Sequence, residues 1–182
     1  NELASLLGCG VSNINNVSPT LSLLALATTD KRLISITNDG MEFIRAYNSG
    51  DMEKAKEIVK RGVEQSEVLK FVRSLLETRV QLTGEEIGRA ISDRFDRKWK
   101  NVLSYRSFGN SCASIIAFAG FGFYHDGVLS LEPVTMKAEA ELYSPEIGFR
   151  PIIRLLNALH PFARAKGSEL AKKLKVKEGR IA

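Results

Sequence analysis

Basic, aromatic and amide side chains between positions 97 and 110 have the most evident chemistry in this chain. They are Arg97, Lys98, Lys100, Tyr105, Arg106 and Asn110. Ammonium and guanidinium groups bind phosphate oxygens, and guanidinium and amide groups can make paired hydrogen bonds to base edges. This group therefore indicates contact with a nucleic acid. Asp93 and Asp96 favour a second interpretation equally, in which the segment is a solvated loop with balanced charge.

Two further polar groups lie near the ends of the chain, and both have a simpler interpretation. They comprise Asn16, Thr20, Lys31 and Arg32 near the start, and Lys175, Lys177 and Arg180 near the end. Asparagines often form turns and caps, and a basic end can simply be solvated. However, residues 164–182 contain seven basic and two acidic residues, which account for the whole formal charge of +5. This asymmetry favours a polyanionic partner for that end.

Residue patterns typical of enzymes are missing from the sequence. It contains no Gly-rich phosphate loop, no dinucleotide-binding glycine motif and no nucleophile elbow. The carboxylates Asp51, Glu53 and Glu57 alternate with lysines, as on a solvated helix face. Cys9 and Cys112 stand too far apart for a metal-binding Cys pair. We therefore predict no catalysis, no cofactor and no metal within these residues.

A mainly helical chain is predicted to position these groups. With 44% hydrophobic and 26% charged residues the composition is that of a globular protein. Cap signals and apolar spacing predict helices near 19–27, 41–47, 50–61, 67–77, 83–91, 104–119 and 145–159. Short strands are predicted at 33–37, 121–124 and 128–131, with a hairpin turn at His125-Asp126-Gly127. Asn38-Asp39-Gly40 is predicted as a turn or cap, and Ser104 as the cap of the long helix.

Three short segments resemble one another at regular distances. They are ELASLL from Glu2, EIGRAI from Glu86 and ELAKKL from Glu169, so the three glutamates are 84 and 83 residues apart. Around them a common order recurs, comprising a helix, a short helix, a longer helix and a hairpin. A period this long indicates duplicated small domains rather than a solenoid.

This order resembles tandem winged helix-turn-helix proteins of the archaeal and prokaryotic type, like those attached to ATPases, replication factors or restriction-type proteins. ELASLLG before Val11-Ser12, and ELAKKLKV before Lys177, are similar to the short helix and turn of helix-turn-helix regulators. LISITNDGMEFIRA resembles a wing and the helix after it. The resemblance implies a mainly α fold with short β-hairpin wings, in tandem winged-helix domains.

The predicted boundaries follow from the repeat. Residues 1–48 would be the C-terminal part of a first winged-helix unit, 49–63 a connecting helix and 64–131 a second winged-helix domain. Residues 132–143 would form a linker, and 144–182 a truncated third helix-turn-helix unit. In the first two copies roughly 10–12 residues are expected between the short and long helices, which departs from the 3–4 residues of a tight helix-turn-helix.

The resemblance implies non-catalytic binding of double-stranded DNA, in a regulator or in a replication or restriction-type module. Two alternatives stay open: a protein–protein interaction scaffold, and a regulatory domain of a larger ATPase or nuclease. Protein partners and a second copy of the chain are therefore further candidates. Exposure of Phe108 and Phe121 would favour the scaffold.

The expected location is the cytoplasm. No apolar stretch reaches the length of a membrane span, there is no signal peptide, and the two distant cysteines suit a reducing compartment. Because the chain starts without Met and stops inside a helix-like pattern, we expect it to be part of a longer protein.

Overall fold

A computed structural model describes residues 19–30, 33–132, 146–159 and 164–166 of the chain. In chain order its elements are β1 (Ala27–Asp30), β2 (Leu33–Ile36), α1 (Asn38–Asn48), α2 (Met52–Gln65), α3 (Glu67–Arg79), β3 (Gln81–Thr83), α4 (Gly84–Phe95), α5 (Val102–Phe118), β4 (Phe123–His125), β5 (Val128–Ser130), α6 (Glu146–Leu159) and β6 (Arg164–Lys166). The predicted class, mainly helical with short antiparallel strands, is confirmed. None of the described helices combines the length and the apolar character needed to cross a membrane.

The chain divides into two compact units, Asn1–Asp51 with Pro151–Ala182, and Met52–Arg150. This division differs from the predicted boundaries, and residues 144–150 of the predicted third unit fall in the second unit. The predicted connecting helix, observed as α2, belongs to the second unit. Strand β6, in the predicted third unit, pairs with β2 of the predicted first unit. Residues 1–18, 133–145 and 167–182, which include the first and third repeat segments and most of the predicted linker, lie outside the described residues.

The first unit has a three-stranded antiparallel sheet in the order β1-β2-β6. The helix predicted to run to Ala27 covers residues 19–23 and is followed by a turn, because Ala27 begins β1 and pairs with Ile36. The predicted turn at Asn38-Asp39-Gly40 is instead the first turn of α1. Thr37 caps this helix, since its Oγ1 accepts a hydrogen bond from the Gly40 N–H at 3.0 Å.

The second unit has its own antiparallel sheet, in the order β3-β5-β4. Leu129 in the central strand lies opposite Leu82 on one side and Tyr124 on the other. Asp126 and Gly127 connect β4 to β5, and both have positive φ angles, 47° and 80°. An Asp-Gly pair in this conformation matches the right-handed twist of a hairpin. The predicted hairpin is thus confirmed, with strand ends shifted by one or two residues.

Local cap signals place three helix starts in the second unit, and one of them differs from the prediction. Ser66 caps α3 and Thr83 caps α4, so these helices begin within one residue of their predicted starts at 67 and 83. The long helix α5 begins earlier than predicted, because Asn101 is its cap and accepts a hydrogen bond from the Ser104 N–H at 2.9 Å. Helix α4, which precedes α5, continues past its predicted end at Ile91 to Phe95. Only residues 96–101 therefore separate α4 from α5, and the expectation of roughly 10–12 residues is wrong for the second copy.

The cap of α4 makes the stability of the second unit depend on pH. The Glu86 carboxylate accepts hydrogen bonds from the Thr83 N–H at 2.8 Å and from its hydroxyl at 2.6 Å. These bonds hold the pKa of Glu86 below its ordinary value of 4.5. Because the folded-state pKa is lowered, this stabilisation is complete above pH 4.5 and is lost as the pH falls through the folded-state value.

We expect Glu86→Gln to lower the free energy of unfolding most at neutral pH, with the difference from wild type shrinking as the pH falls below about 4.5. Urea unfolding between pH 3 and 7 measures this difference. Glu132→Gln, at an exposed position outside the described helices, is the control. A difference that stays constant over this pH range would contradict the assignment.

Candidate nucleic-acid interface

Helices α4 and α5 form the most extensive helix contact of the second unit, and glycines bring their backbones together. A Cβ atom on Gly109 would lie 2.7 Å from the carbonyl carbon of Gly84 and 2.9 Å from the nitrogen of Gly88. A Cβ atom on Gly88 would lie 2.6 Å from the carbonyl carbon of Tyr105. Real Cβ atoms essentially never come within 3.0 Å of another heavy atom. This backbone contact fixes the N-terminal half of α5 against α4.

The C-terminal half of α5 forms the core of the second unit. Ile115, Ile116 and Phe118 are buried. Cys112 is buried beside them, and burial raises the pKa of its thiol to about 12, so it stays a neutral, unreactive core residue. In the described ranges no group of His, Cys, Asp and Glu side chains is arranged to hold a metal ion.

The N-terminal turn of α5 is exposed and carries two apolar side chains. Val102 is 42% and Leu103 69% exposed, in contrast to the buried second half of the same helix. The pair was not among the predicted contact residues, because a helix starting at Ser104 leaves both residues in a loop. The signal that could have located them is Asn101, a strong helix cap directly before them.

Three basic side chains lie next to this apolar pair along the chain, and we call Lys98, Lys100 and Arg106 the basic rim. Lys98 and Lys100 are exposed in the connection before α5. Lys98 is 88% exposed and its Nζ lies 3.8 Å from the Asp96 carboxylate. Arg106 follows Leu103 by three residues, so both lie on one face of the helix. The rim thus places positive charge before and after the exposed turn.

Arg106 is held at the surface by an exchangeable ion pair. Its guanidinium donates to the Glu85 carboxylate of α4 at 3.3 Å, and its side chain is 57% exposed. Hydrogen bonds from Arg89 and then from Arg106 hold the pKa of Glu85 below its ordinary value. Exposed ion pairs are weak, and Arg89 alone can still neutralise Glu85. Arg106 can therefore leave Glu85 for a phosphate group.

Two of the predicted contact residues, Tyr105 and Arg97, pack against aromatic side chains at the connection between α4 and α5 instead of facing solvent. The Tyr105 ring packs edge-on against the Trp99 ring, with ring centres 5.3 Å apart, and its hydroxyl donates to the Trp99 carbonyl oxygen at 3.4 Å. The Arg97 guanidinium lies 5.5 Å from the centre of the Phe108 ring. Both side chains are half-buried. Their packing holds the segment that contains Lys98 and Lys100 in place, and little of their own surface is accessible to a ligand.

Two other predicted contact residues are turned inward. Thr20 is fully buried in the first unit, so its hydroxyl is not accessible to a base. Asn110 is half-buried on the face of α5 next to Gly84. Within the described part of the chain, its buried Oδ1 has no hydrogen-bond partner. The remaining predicted residues lie outside the described residues; they are Asn16, Lys31, Arg32, Lys175, Lys177 and Arg180.

The two aromatic residues chosen to indicate a scaffold are covered. Phe108 is buried, and Phe121 is half-buried with the Arg73 guanidinium 4.2 Å from its ring centre. Within α5 itself, the exposed large apolar side chains are Val102 and Leu103. The chain matches no known protein family, no curated protein and no solved structure, and its candidate interface is defined by its own residues alone.

Proposed function

We propose that this chain binds double-stranded DNA without catalysing a reaction, and that the second unit makes the contact. The observation that carries the proposal is the basic rim, Lys98, Lys100 and Arg106, next to the exposed N-terminal turn of α5. In helix-turn-helix proteins the N-terminal residues of the recognition helix contact base edges, while basic groups nearby contact phosphates. The rim and the turn supply both kinds of contact.

The order of elements in the second unit supports a winged-helix mode of binding. A helix (α3), a strand (β3), two helices (α4 and α5) and a hairpin (β4 and β5) follow one another, and the three strands form one sheet. We infer that α5 is the recognition helix and that the hairpin is the wing. Six residues connect α4 to α5, which is more than in a tight helix-turn-helix turn. This longer connection includes Lys98 and Lys100.

Salt dependence tests the proposal directly. We expect the whole chain to bind a fluorescein-labelled random-sequence duplex, and the affinity to fall steeply with salt as phosphate contacts release counterions. With about four phosphate contacts, the loss between about 50 and 200 mM salt is roughly a hundredfold. Fluorescence anisotropy measures the dissociation constant at each concentration. An absence of binding at about 50 mM, or an affinity that does not change with salt, would overturn the proposal.

A protein–protein contact is the second candidate, and the exposed Val102 and Leu103 favour it. Exposed apolar side chains on a helix can pack against another protein or a second copy of the chain. Light scattering over a range of concentrations detects self-association. A dimer that Leu103→Asp dissociates, in a chain that does not bind the duplex, would favour this candidate over DNA binding.

A further inference from the structure

The exposed apolar pair Val102 and Leu103 has no role in phosphate binding. Among the described residues, Leu103 is the most exposed large apolar side chain, ahead of Val80, Val102 and Leu131. It follows the helix cap Asn101 by two residues. In a recognition helix this position faces base edges, so the pair lies where a helix-turn-helix protein reads sequence.

We propose that Leu103, flanked by Val102, contacts the 5-methyl group of thymine in the major groove, and that the chain therefore prefers thymine-containing duplexes. This inference rests on the proposed DNA binding. Each base pair presents hydrogen-bonding groups in the major groove, and the apolar group it can add is the thymine methyl. An aliphatic side chain gains binding free energy from contact with that methyl group and from no other group on the groove floor.

The position of the basic rim supports this placement. Lys98 and Lys100 precede the pair in the connection, and Arg106 lies one helical turn after Leu103 on the same face. Contacts from these groups to the phosphates bordering a groove would hold the exposed turn between the two strands. Side chains of residues 102 and 103 point about 100° apart on a helix, so Leu103 is the principal contact and Val102 its flank.

A protein partner fits the same surface less well. Stable protein interfaces bury on the order of 1,000 Å² or more, and an apolar core of that kind needs more than two aliphatic side chains. Of the aromatic residues near the pair along the chain, Phe108 is buried and Trp99 is half-buried against Tyr105 and Phe108. Two exposed aliphatic side chains beside the basic rim are complementary to a thymine methyl group in a groove that phosphates border.

The test compares thymine with uracil, which differs only by this methyl group. Two random-sequence duplex pools, made with thymidine or with deoxyuridine, compete for the whole chain in an anisotropy assay at about 100 mM salt. We expect the thymine pool to bind roughly fourfold more tightly for each methyl group buried. Leu103→Ala should abolish this preference and keep the salt dependence, because the basic rim is unchanged.

Control variants separate the side chain from general effects of uracil on the duplex. Leu131→Ala removes an exposed apolar side chain that is outside α5, and it should keep the preference. Equal binding of both pools by the wild type, or a preference that persists in Leu103→Ala, would overturn the inference and leave the proposed DNA binding intact. An absence of binding to either pool would overturn both.

Discussion

Gly109→Ala should destabilise the second unit severely, by roughly 3 kcal/mol or more in the free energy of unfolding. A glycine in the middle of a helix normally costs stability, so alanine at such a position is expected to gain about 1 kcal/mol. The opposite sign is expected here because the new Cβ would collide with the backbone at Gly84 and Gly88. Backbone atoms cannot change rotamer to make room, and the two helices would have to separate.

Urea unfolding of the whole chain, followed by circular dichroism and by Trp99 fluorescence, measures the effect. Ser74→Ala, at an exposed position in α3, is the control and should change the free energy by no more than about 0.5 kcal/mol. Gly88→Ala should resemble Gly109→Ala, since its Cβ would collide with the backbone at Tyr105. A stabilised Gly109→Ala variant would show that the two backbones are not in contact.

Reversing all three charges of the basic rim should have the largest effect on DNA binding. In Lys98→Glu/Lys100→Glu/Arg106→Glu, three attractive contacts with phosphates become repulsive. We expect the affinity for a random duplex at about 50 mM salt to fall roughly a hundredfold or more. The milder variant Lys98→Gln/Lys100→Gln/Arg106→Gln should reduce the slope of log affinity against log salt by about one for each side chain removed.

A second triple variant distinguishes the position of the charge from its amount. Lys54→Glu/Lys56→Glu/Lys60→Glu changes the net charge equally, but all three lysines are on α2. Because these lysines are outside the basic rim and salt screens exposed charges that do not touch the duplex, this variant should bind nearly as well as the wild type. Equal losses in both triple variants would show a general effect of net charge. Unchanged binding in the rim variant would place the contact outside the rim, with the basic residues 164–182 as the next candidate.

The parts of the fold that could be predicted from the sequence are those specified by local signals. The Thr83 and Glu86 cap and the Asp126-Gly127 turn depend on residues at most a few positions apart. Strand β1 pairs with the neighbouring β2 and was missed because the helix before it was predicted to continue to Ala27. The short strands β3 and β6 were missed because pairing with distant partners defines them. Leu82 in β3, for instance, is buried opposite Leu129, which follows it by 47 residues.

Among the residues of the candidate site, the exposure of the charged side chains was predicted correctly and the orientation of Tyr105 and Asn110 was not. Lys98, Lys100 and Arg106 are exposed as expected, because long charged side chains stay in water. Tyr105 and Asn110 were expected on the outer face, since hydrophobic spacing marks large apolar residues as the buried side of a helix. Here Gly109 forms the contact with α4 and draws its neighbours Tyr105 and Asn110 toward that helix. Close approach of two backbones leaves little hydrophobic signal in a sequence.

The pairing of β2 with β6 has a consequence for the order in which the chain folds during synthesis. The ribosome delivers the N-terminal end of a protein first, so β1 and β2 emerge long before Arg164–Lys166, which complete their sheet. All of Met52–Arg150 emerges in between. The second unit can therefore fold while the first still lacks one of its strands, and β2 spends that interval with an open edge. Closing so long a loop is slower and costs more entropy when the intervening residues are unfolded. Pairing of β6 with β2 is therefore expected to be faster if the second unit folds first.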